Sequence, residues 1–280
     1  MSAFCYYNGA LGPFESIKIP LSDRSAFFGD GVYDMAVGRN GKIHRIDEHI
    51  ERFFRSCRGI EIGDFISYDS LYDILDLTVK KAGLSEYSVY FQATRNAPRR
   101  IHSHLCSSGT NLLVVVDEFT LCRELTKIKL ITLEDLRYNY CNLKTINLLP
   151  AVLASAEAER HGCDEVVFVR GGRVTECAHS NISILSRGAL YTHPDCELVL
   201  PGITKKHLLS AARKLGICVK EIPFGVGELV GADEILVTST TRLLRVASEI
   251  NGVRVGGRAE DLALALHKAL VDEYLSEMEK

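Results

Sequence analysis

The chain has 280 residues, of which 46% are hydrophobic and 25% charged, and a formal net charge of −3. That composition is globular. With no dense basic tract and no apolar run near the ~20 residues of a membrane span, it argues against a nucleic-acid binder and against a membrane-spanning protein. Residues 1–7 lack the charged start and long apolar middle of a signal peptide, so a cytoplasmic protein is expected.

In chain order, Asn40-Gly41 joins residues 35–37 to residues 42–46, a two-residue turn able to take the positive φ of a hairpin. Ile50, Phe53, Phe54 and Cys57 recur at helical spacing, with Gly59 able to end the helix. Leu71, Ile74, Leu75 and Thr78 make a second helical stripe. Residues 89–94 alternate and 112–116 are continuously apolar, and both read as strands. Asp117, Glu118 and Thr120 then form a polar break. It is expected to divide a smaller α+β domain over 1–118 from a larger β-rich domain over 119–280, a mixed α/β architecture.

Past the break, Asn147 is the expected cap of a third helix, with Pro150 tolerated in its first turn and Gly162 closing it. Gly171-Gly172 separates 166–169 from Val174 as a second hairpin turn, and Asn251-Gly252 separates 246–250 from 253–255 as a third. Thr204 is expected to cap a fourth helix that turns Leu208, Ala212 and Leu215 inward and stops at Gly216. Leu262, Leu266, Leu270 and Tyr274 form a C-terminal stripe. The nine cysteines are odd in number and include no CxxC pair. Reduced thiols are expected rather than disulfides or a metal site, most of them buried as small hydrophobes.

No GxGxxG, Walker loop, HExxH or GxSxG is present, so the chemistry must be sought in single residues. Lys144 stands among apolar and neutral residues between a strand-like stretch and a helix start. Desolvation there can lower an ammonium pKa, as covalent amine chemistry needs, yet the string also fits a solvated strand-end lysine. Glu176 follows the second hairpin turn and is either a buried carboxylate able to hold a ring nitrogen protonated or an exposed strand residue. Pro201-Gly202-Ile203-Thr204 opens a helix whose free N–H groups suit a phosphate, or is a plain N-cap. Ser239-Thr240-Thr241 offers hydroxyl donors after a strand. Arg52 lies off its helix's apolar stripe, and periodicity alone makes it solvated. Arg100 and His102, two apart in a basic loop, can point one way and grip a carboxylate, or belong to a mobile loop.

Taken in order, these segments resemble the fold-type IV pyridoxal-phosphate (PLP) enzymes, a family that includes D-amino acid aminotransferase, branched-chain aminotransferase and aminodeoxychorismate lyase. The matching segments are Phe28-Gly29-Asp30-Gly31-Val32-Tyr33, Glu48-His49-Ile50-Glu51-Arg52, Leu143-Lys144-Thr145-Ile146-Asn147, and Val174-Thr175-Glu176 with Ser180-Asn181. Gly202-Ile203-Thr204 and Thr238-Ser239-Thr240-Thr241 complete the set. The resemblance implies a two-domain PLP enzyme in which Lys144 holds the cofactor and acts as general acid–base. It further implies Glu176 at the pyridine nitrogen, and Arg52, Ile203, Thr204 and Thr240 at the phosphate.

Arg100-Ile101-His102 with Tyr33 is similar to the carboxylate trap of the D-amino acid aminotransferase branch. That implies a homodimer in which Arg100 and His102 reach the neighbouring subunit's site, and transamination of D-amino acids such as D-alanine with 2-oxoglutarate. Cys177-Ala178-His179 departs from the glycine and serines of that branch, and Cys177-Ala178 resembles the lyase branch. Met35 and Val37 also depart, near the side-chain pocket. The alternatives are aminodeoxychorismate lyase, branched-chain L-amino acid transamination and a non-catalytic PLP-binding module.

Overall fold

The computed structural model describes residues 3–279, which form two compact units. The first runs through Leu121 and includes Leu143–Asn147 and the residues from Glu277 on. The second holds Cys122–Asn142 and Leu148–Ser276. Residues 143–147, Lys144 among them, thus belong to the first unit although their neighbours in sequence belong to the second.

The first unit contains β1 (Phe4–Tyr7), β2 (Ala10–Pro13), the short α1 (Ser25–Phe28), β3 (Gly31–Arg39), β4 (Lys42–Ile43), α2 (Ile46–Gly59), α3 (Tyr68–Ala82), β5 (Glu86–Asn96) and β6 (Gly109–Glu118). The strands make one antiparallel sheet in the order β2-β1-β6-β5-β3-β4. Ile50, Phe53 and Cys57 of α2 and Leu71, Leu75 and Val79 of α3 bury their stripes against Val32, Val89, Phe91, Val114 and Val116 of the sheet. A side chain of this size removed from water contributes about 1.5–3 kcal/mol, which is why the 3.6-residue period survives so cleanly here. The Asn40-Gly41 turn closes β3 onto β4 with positive φ at both residues, as expected.

The second unit contains β7 (Thr126–Glu134), α4 (Leu149–Arg160), β8 (Glu165–Arg170), β9 (Arg173–Cys177), β10 (Asn181–Ser186), β11 (Ala189–Thr192), α5 (Ile203–Lys214), β12 (Cys218–Glu221), α6 (Val226–Val230), β13 (Glu234–Ser239), β14 (Leu243–Ile250), β15 (Val253–Arg254) and α7 (Glu260–Met278). The sheet runs β12-β11-β10-β13-β14-β7-β8-β9, with β15 on β14. The turns at Gly171-Gly172 and Asn251-Gly252 form as expected. Among the described residues no helix is long and apolar enough to cross a membrane.

Several local expectations are corrected. Asn147 does not cap α4: the helix begins after Leu148, and the Asn147 amide donates instead to the Gly29 carbonyl at 2.8 Å. Gly202, not Thr204, is the N-cap of α5, so Thr204 lies inside the first turn. Leu215 and Leu262 are partly exposed, and the C-terminal stripe is carried by Ala263, Leu266, Leu270 and Tyr274. Only Cys5, Cys57 and Cys177 of the nine thiols are buried, all nine being unpaired.

Candidate active site

Lys144 is fastened to the first unit by its backbone. The Tyr33 N–H donates to the Lys144 carbonyl at 2.9 Å, the Ile146 N–H donates to the Gly31 carbonyl at 3.1 Å, and Val32 and Thr145 form an antiparallel bridge. The lysine segment therefore lies along the start of β3 as a short added strand. The Lys144 N–H donates to Ser56 Oγ of α2 at 3.1 Å. Its side chain then projects toward Tyr33, with Nζ 3.3 Å from the phenolic oxygen and 4.4 Å from the ring centroid. Tyr33 stacks on Tyr90 at 5.3 Å. Burial, and then the neighbouring Tyr33, push the Tyr90 hydroxyl above its ordinary pKa. A primary amine is thus held at a phenol, on backbone bonds that fix where it starts.

Alternation along β3 sends Tyr33 to one face and Asp34 to the other, where α2 packs. Asp34 is fully buried. The Arg52 Nε and Nη2 donate to its two oxygens, each at 2.8 Å, and His49 Nδ1–H donates to Oδ1 at 2.7 Å. Burial alone would raise the Asp34 pKa, but Arg52 and then His49 outweigh it and hold the carboxyl well below the usual range. Burial drives His49 down, so it is neutral and donates rather than adding a second cation. Arg52, read from periodicity as solvated, is buried: a carboxylate across the helix–sheet interface is a partner no helical pattern can reveal.

Arg100 and His102 lie on the loop between β5 and β6, and both are exposed. They converge on Phe28, with the Arg100 Cζ 5.1 Å and the His102 ring 5.2 Å from its ring centroid.

In the second unit, Glu176 on β9 is buried. Its Oε2 accepts from Asn181 Nδ2 at 3.0 Å and from the Leu200 N–H at 3.1 Å, and its Oε1 pairs with Arg137 Nη1. Arg137 is the residue that sequence reasoning missed. Its Nε and Nη2 donate to Asp135, each at 2.9 Å, and its Cζ lies 4.6 Å from the Phe168 ring centroid. Burial opposes the Arg137 charge, but Asp135 and Glu176 more than offset it. The segment bearing Arg137 is irregular and follows no period, so nothing in the local string marked it.

Asn181 links Glu176 to the start of α5. Its Nδ2 also donates to the Leu200 carbonyl at 2.9 Å, and a Cβ on Gly202 would lie 1.8 Å from its Oδ1, so only glycine fits there. Ile203 and Thr204 occupy the first turn of α5, which has no side-chain cap, leaving N–H groups of that turn without an intrahelical acceptor. Asn181 pairs across the sheet with Thr238, whose buried hydroxyl has no partner, and Thr240 follows two residues on, half-buried. His179 is largely exposed, with Nδ1 2.9 Å from the buried Glu165 carboxylate.

The two-unit architecture of sheets and helices fits a class that sequence comparison identifies. The chain belongs to the class IV aminotransferase family, whose model matches residues 31–250. It is 34% identical to the D-alanine aminotransferase of Listeria monocytogenes serotype 4b (strain F2365), over 96% of this chain and 95% of that protein. It is 31% identical to the D-alanine aminotransferase of Bacillus licheniformis, over 98% of each. A solved branched-chain aminotransferase from the thermophilic archaeon Thermoproteus uzoniensis, with norvaline, superposes with a TM-score of 0.85 at 23% identity, covering 98% of this chain and 97% of that one. At that identity the likeness speaks for the fold.

The class is one of PLP enzymes, and the donor set suits such a cofactor. The first unit offers a primary amine for an aldehyde and an arginine for a phosphate. The second offers an uncapped helix N-terminus, an unpartnered buried hydroxyl and a buried carboxylate for a ring nitrogen.

Proposed function

We propose that the protein transaminates D-amino acids, taking the amino group of a substrate such as D-alanine and passing it to 2-oxoglutarate, with PLP as cofactor. The observation that carries this reading is the convergence of Arg100 and His102 on one aromatic ring, a planar cation and an imidazole offered together to a carboxylate. The full-length likeness to D-alanine aminotransferases supports it.

In this reading Lys144 holds the cofactor through Nζ. Arg52, the Ile203 and Thr204 N–H groups and the Thr240 hydroxyl bind its phosphate, and Glu176 sits at its pyridine nitrogen. Bound PLP supplies the electron sink that acidifies the substrate Cα–H. Lys144 Nζ takes up the Cα proton as general base and releases it again as general acid, with the Tyr33 phenol orienting the amine. Arg137 and Asn181 hold the Glu176 carboxylate in place. Tyr33, Arg100 and His102 hold the substrate carboxylate, so that one enantiomer presents its Cα–H to Lys144.

The protein works as a homodimer in which Arg100 and His102 serve the neighbouring subunit. Their exposure on a single chain supports this, as do the exposed apolar residues Leu149, Val152 and Leu153 of α4, a face suited to burial by a second copy. A half-reaction screen tests the function: D-alanine should convert PLP to pyridoxamine phosphate far faster than L-alanine does. A preference for L-valine or L-leucine would replace D-specificity with branched-chain transamination. Pyruvate release from aminodeoxychorismate without any half-reaction would mark a lyase.

A further inference from the structure

Arg24 stands immediately before α1 and is buried, 4% exposed. Its guanidinium is spread over three acceptors on two chain segments. Nε donates to Asp30 Oδ2 at 2.6 Å, Nη1 donates to the Ile101 carbonyl, and Nη2 donates to the His102 carbonyl at 2.9 Å. Its Cζ lies 4.6 Å from the Phe28 ring centroid, the same ring on which Arg100 and His102 converge. Asp30 is steadied in turn by Arg95 Nη1. Among the described residues, Pro98, Arg99, Arg100, Ile101 and His102 make no hydrogen bond other than these two to Arg24.

A charge needed only for folding would be satisfied by Asp30. Two of the five guanidinium donors instead grip consecutive peptide carbonyls within residues 98–102, a stretch with no other hydrogen bond among the described residues. Fixing those two carbonyls fixes the two peptide planes that flank His102, and with them the direction in which its side chain leaves the backbone, and it anchors the chain one residue after Arg100. We propose that Arg24 is a positioning residue for substrate specificity: it clamps the loop so that Arg100 and His102 are presented together to a carboxylate. The inference rests on the proposed carboxylate role of those two residues. Only arginine has the fork to span Asp30 and both carbonyls; a lysine ammonium is a single point that can keep Asp30 and lose the loop.

The test uses PLP-loaded enzyme of wild type, Arg24→Lys, Arg24→Gln, Phe28→Leu and Arg100→Ala. It measures KM and kcat for D-alanine and 2-oxoglutarate, the D-over-L ratio, PLP content and melting temperature. Both Arg24 variants should raise KM for both carboxylate substrates by roughly 10-fold and narrow the D-over-L ratio, with kcat and PLP content changing far less, because charged hydrogen bonds to the loop are lost. Arg24→Lys should be the milder. Folded, PLP-loaded Arg24 variants with wild-type KM, beside an Arg100→Ala that raises it, overturn the inference. If Arg100→Ala itself leaves KM unchanged, the carboxylate reading has failed and this one falls with it. Should neither Arg24 variant fold, Phe28→Leu decides, since it removes the ring shared by Arg24, Arg100 and His102 at a half-buried position. A wild-type KM there overturns the inference, and a raised KM with kcat kept supports it.

Discussion

Each unit sets an arginine on a buried carboxylate, and the proposed chemistry uses opposite members of the two pairs. In the first, Asp34 is fully enclosed and grips Arg52 with both oxygens, so the aspartate is the inner partner and the arginine the outer one. In the second, Glu176 is again the more enclosed member, at 6% side-chain exposure against 13% for Arg137, which is held between Asp135, Glu176 and the Phe168 ring. A buried ion needs a counter-ion to be tolerated, and the counter-ion can be either sign. The proposed chemistry uses the outer cation of the first pair, where a phosphate binds, and the inner anion of the second, where a pyridinium binds.

If both pairs serve one reactive amine, removing that amine gives the largest effect. Lys144→Ala should lose turnover by on the order of 10²–10⁴-fold or more while still retaining PLP non-covalently, and borohydride should no longer fix PLP to the peptide containing residue 144. A variant that transaminates at the wild-type rate would falsify the assignment.

The supporting partners, Asp34 and Arg137, should separate next. Asp34→Asn leaves the Arg52 cation buried without its counter-charge and should cost about 3–5 kcal/mol of stability, seen in urea unfolding, together with weaker PLP retention. Arg137→Met should instead keep PLP and lose kcat, by roughly 10- to 150-fold, through a Glu176 left without its cation. If both substitutions lowered PLP retention alike and left kcat alone, the division of labour between the pairs would be wrong.

At the substrate end, Arg100→Ala should cut kcat/KM on D-alanine by roughly 10- to 150-fold and narrow the D-over-L ratio together. A mixed dimer of Lys144→Ala with Arg100→Ala should regain part of the activity, one of its two sites being whole. No recovery in verified heterodimers would put both residues in a single chain's site.

The smallest effect is in acid. Because the Asp34 carboxyl is held below the ordinary range, its contribution is complete above about pH 4 and is lost as pH falls from there toward its folded value. The stability gap between wild type and Asp34→Asn should therefore be widest near neutrality and close below about pH 4. A gap that stays constant through acid would mean that Asp34 acts by shape and not by charge.

What could be read from the sequence was what is decided locally. Asn40-Gly41, Gly171-Gly172 and Asn251-Gly252 announce their turns because positive φ is a property of the residues themselves. The stripes of α2 and α3 were legible because a helix repeats its inner face. The order of the motifs around Lys144 and Glu176 carried the family. What escaped depends on residues distant in sequence. Asn147 looks like a cap but donates its amide to Gly29, and Arg52 looks solvated but meets Asp34 from another element. Arg137 sits in an irregular segment whose only meaning is its neighbours. Asp34 alone left a trace, as a carboxylate at an inward position of an otherwise apolar strand face, which is the pattern of a buried ion pair.

The attachment of Lys144 to β3 has a consequence for biosynthesis. Every strand of the six-stranded sheet lies before residue 119, whereas the lysine segment that bonds to Tyr33 and Gly31 begins at Leu143. Chains emerge from the ribosome N-terminus first, and units fold as they appear. The sheet can thus be complete, with its ledge along β3 open, before Lys144 has been synthesised. The nascent protein builds the seat first and receives the Lys144 amine later, so no half-made chain of this sheet carries that amine in position.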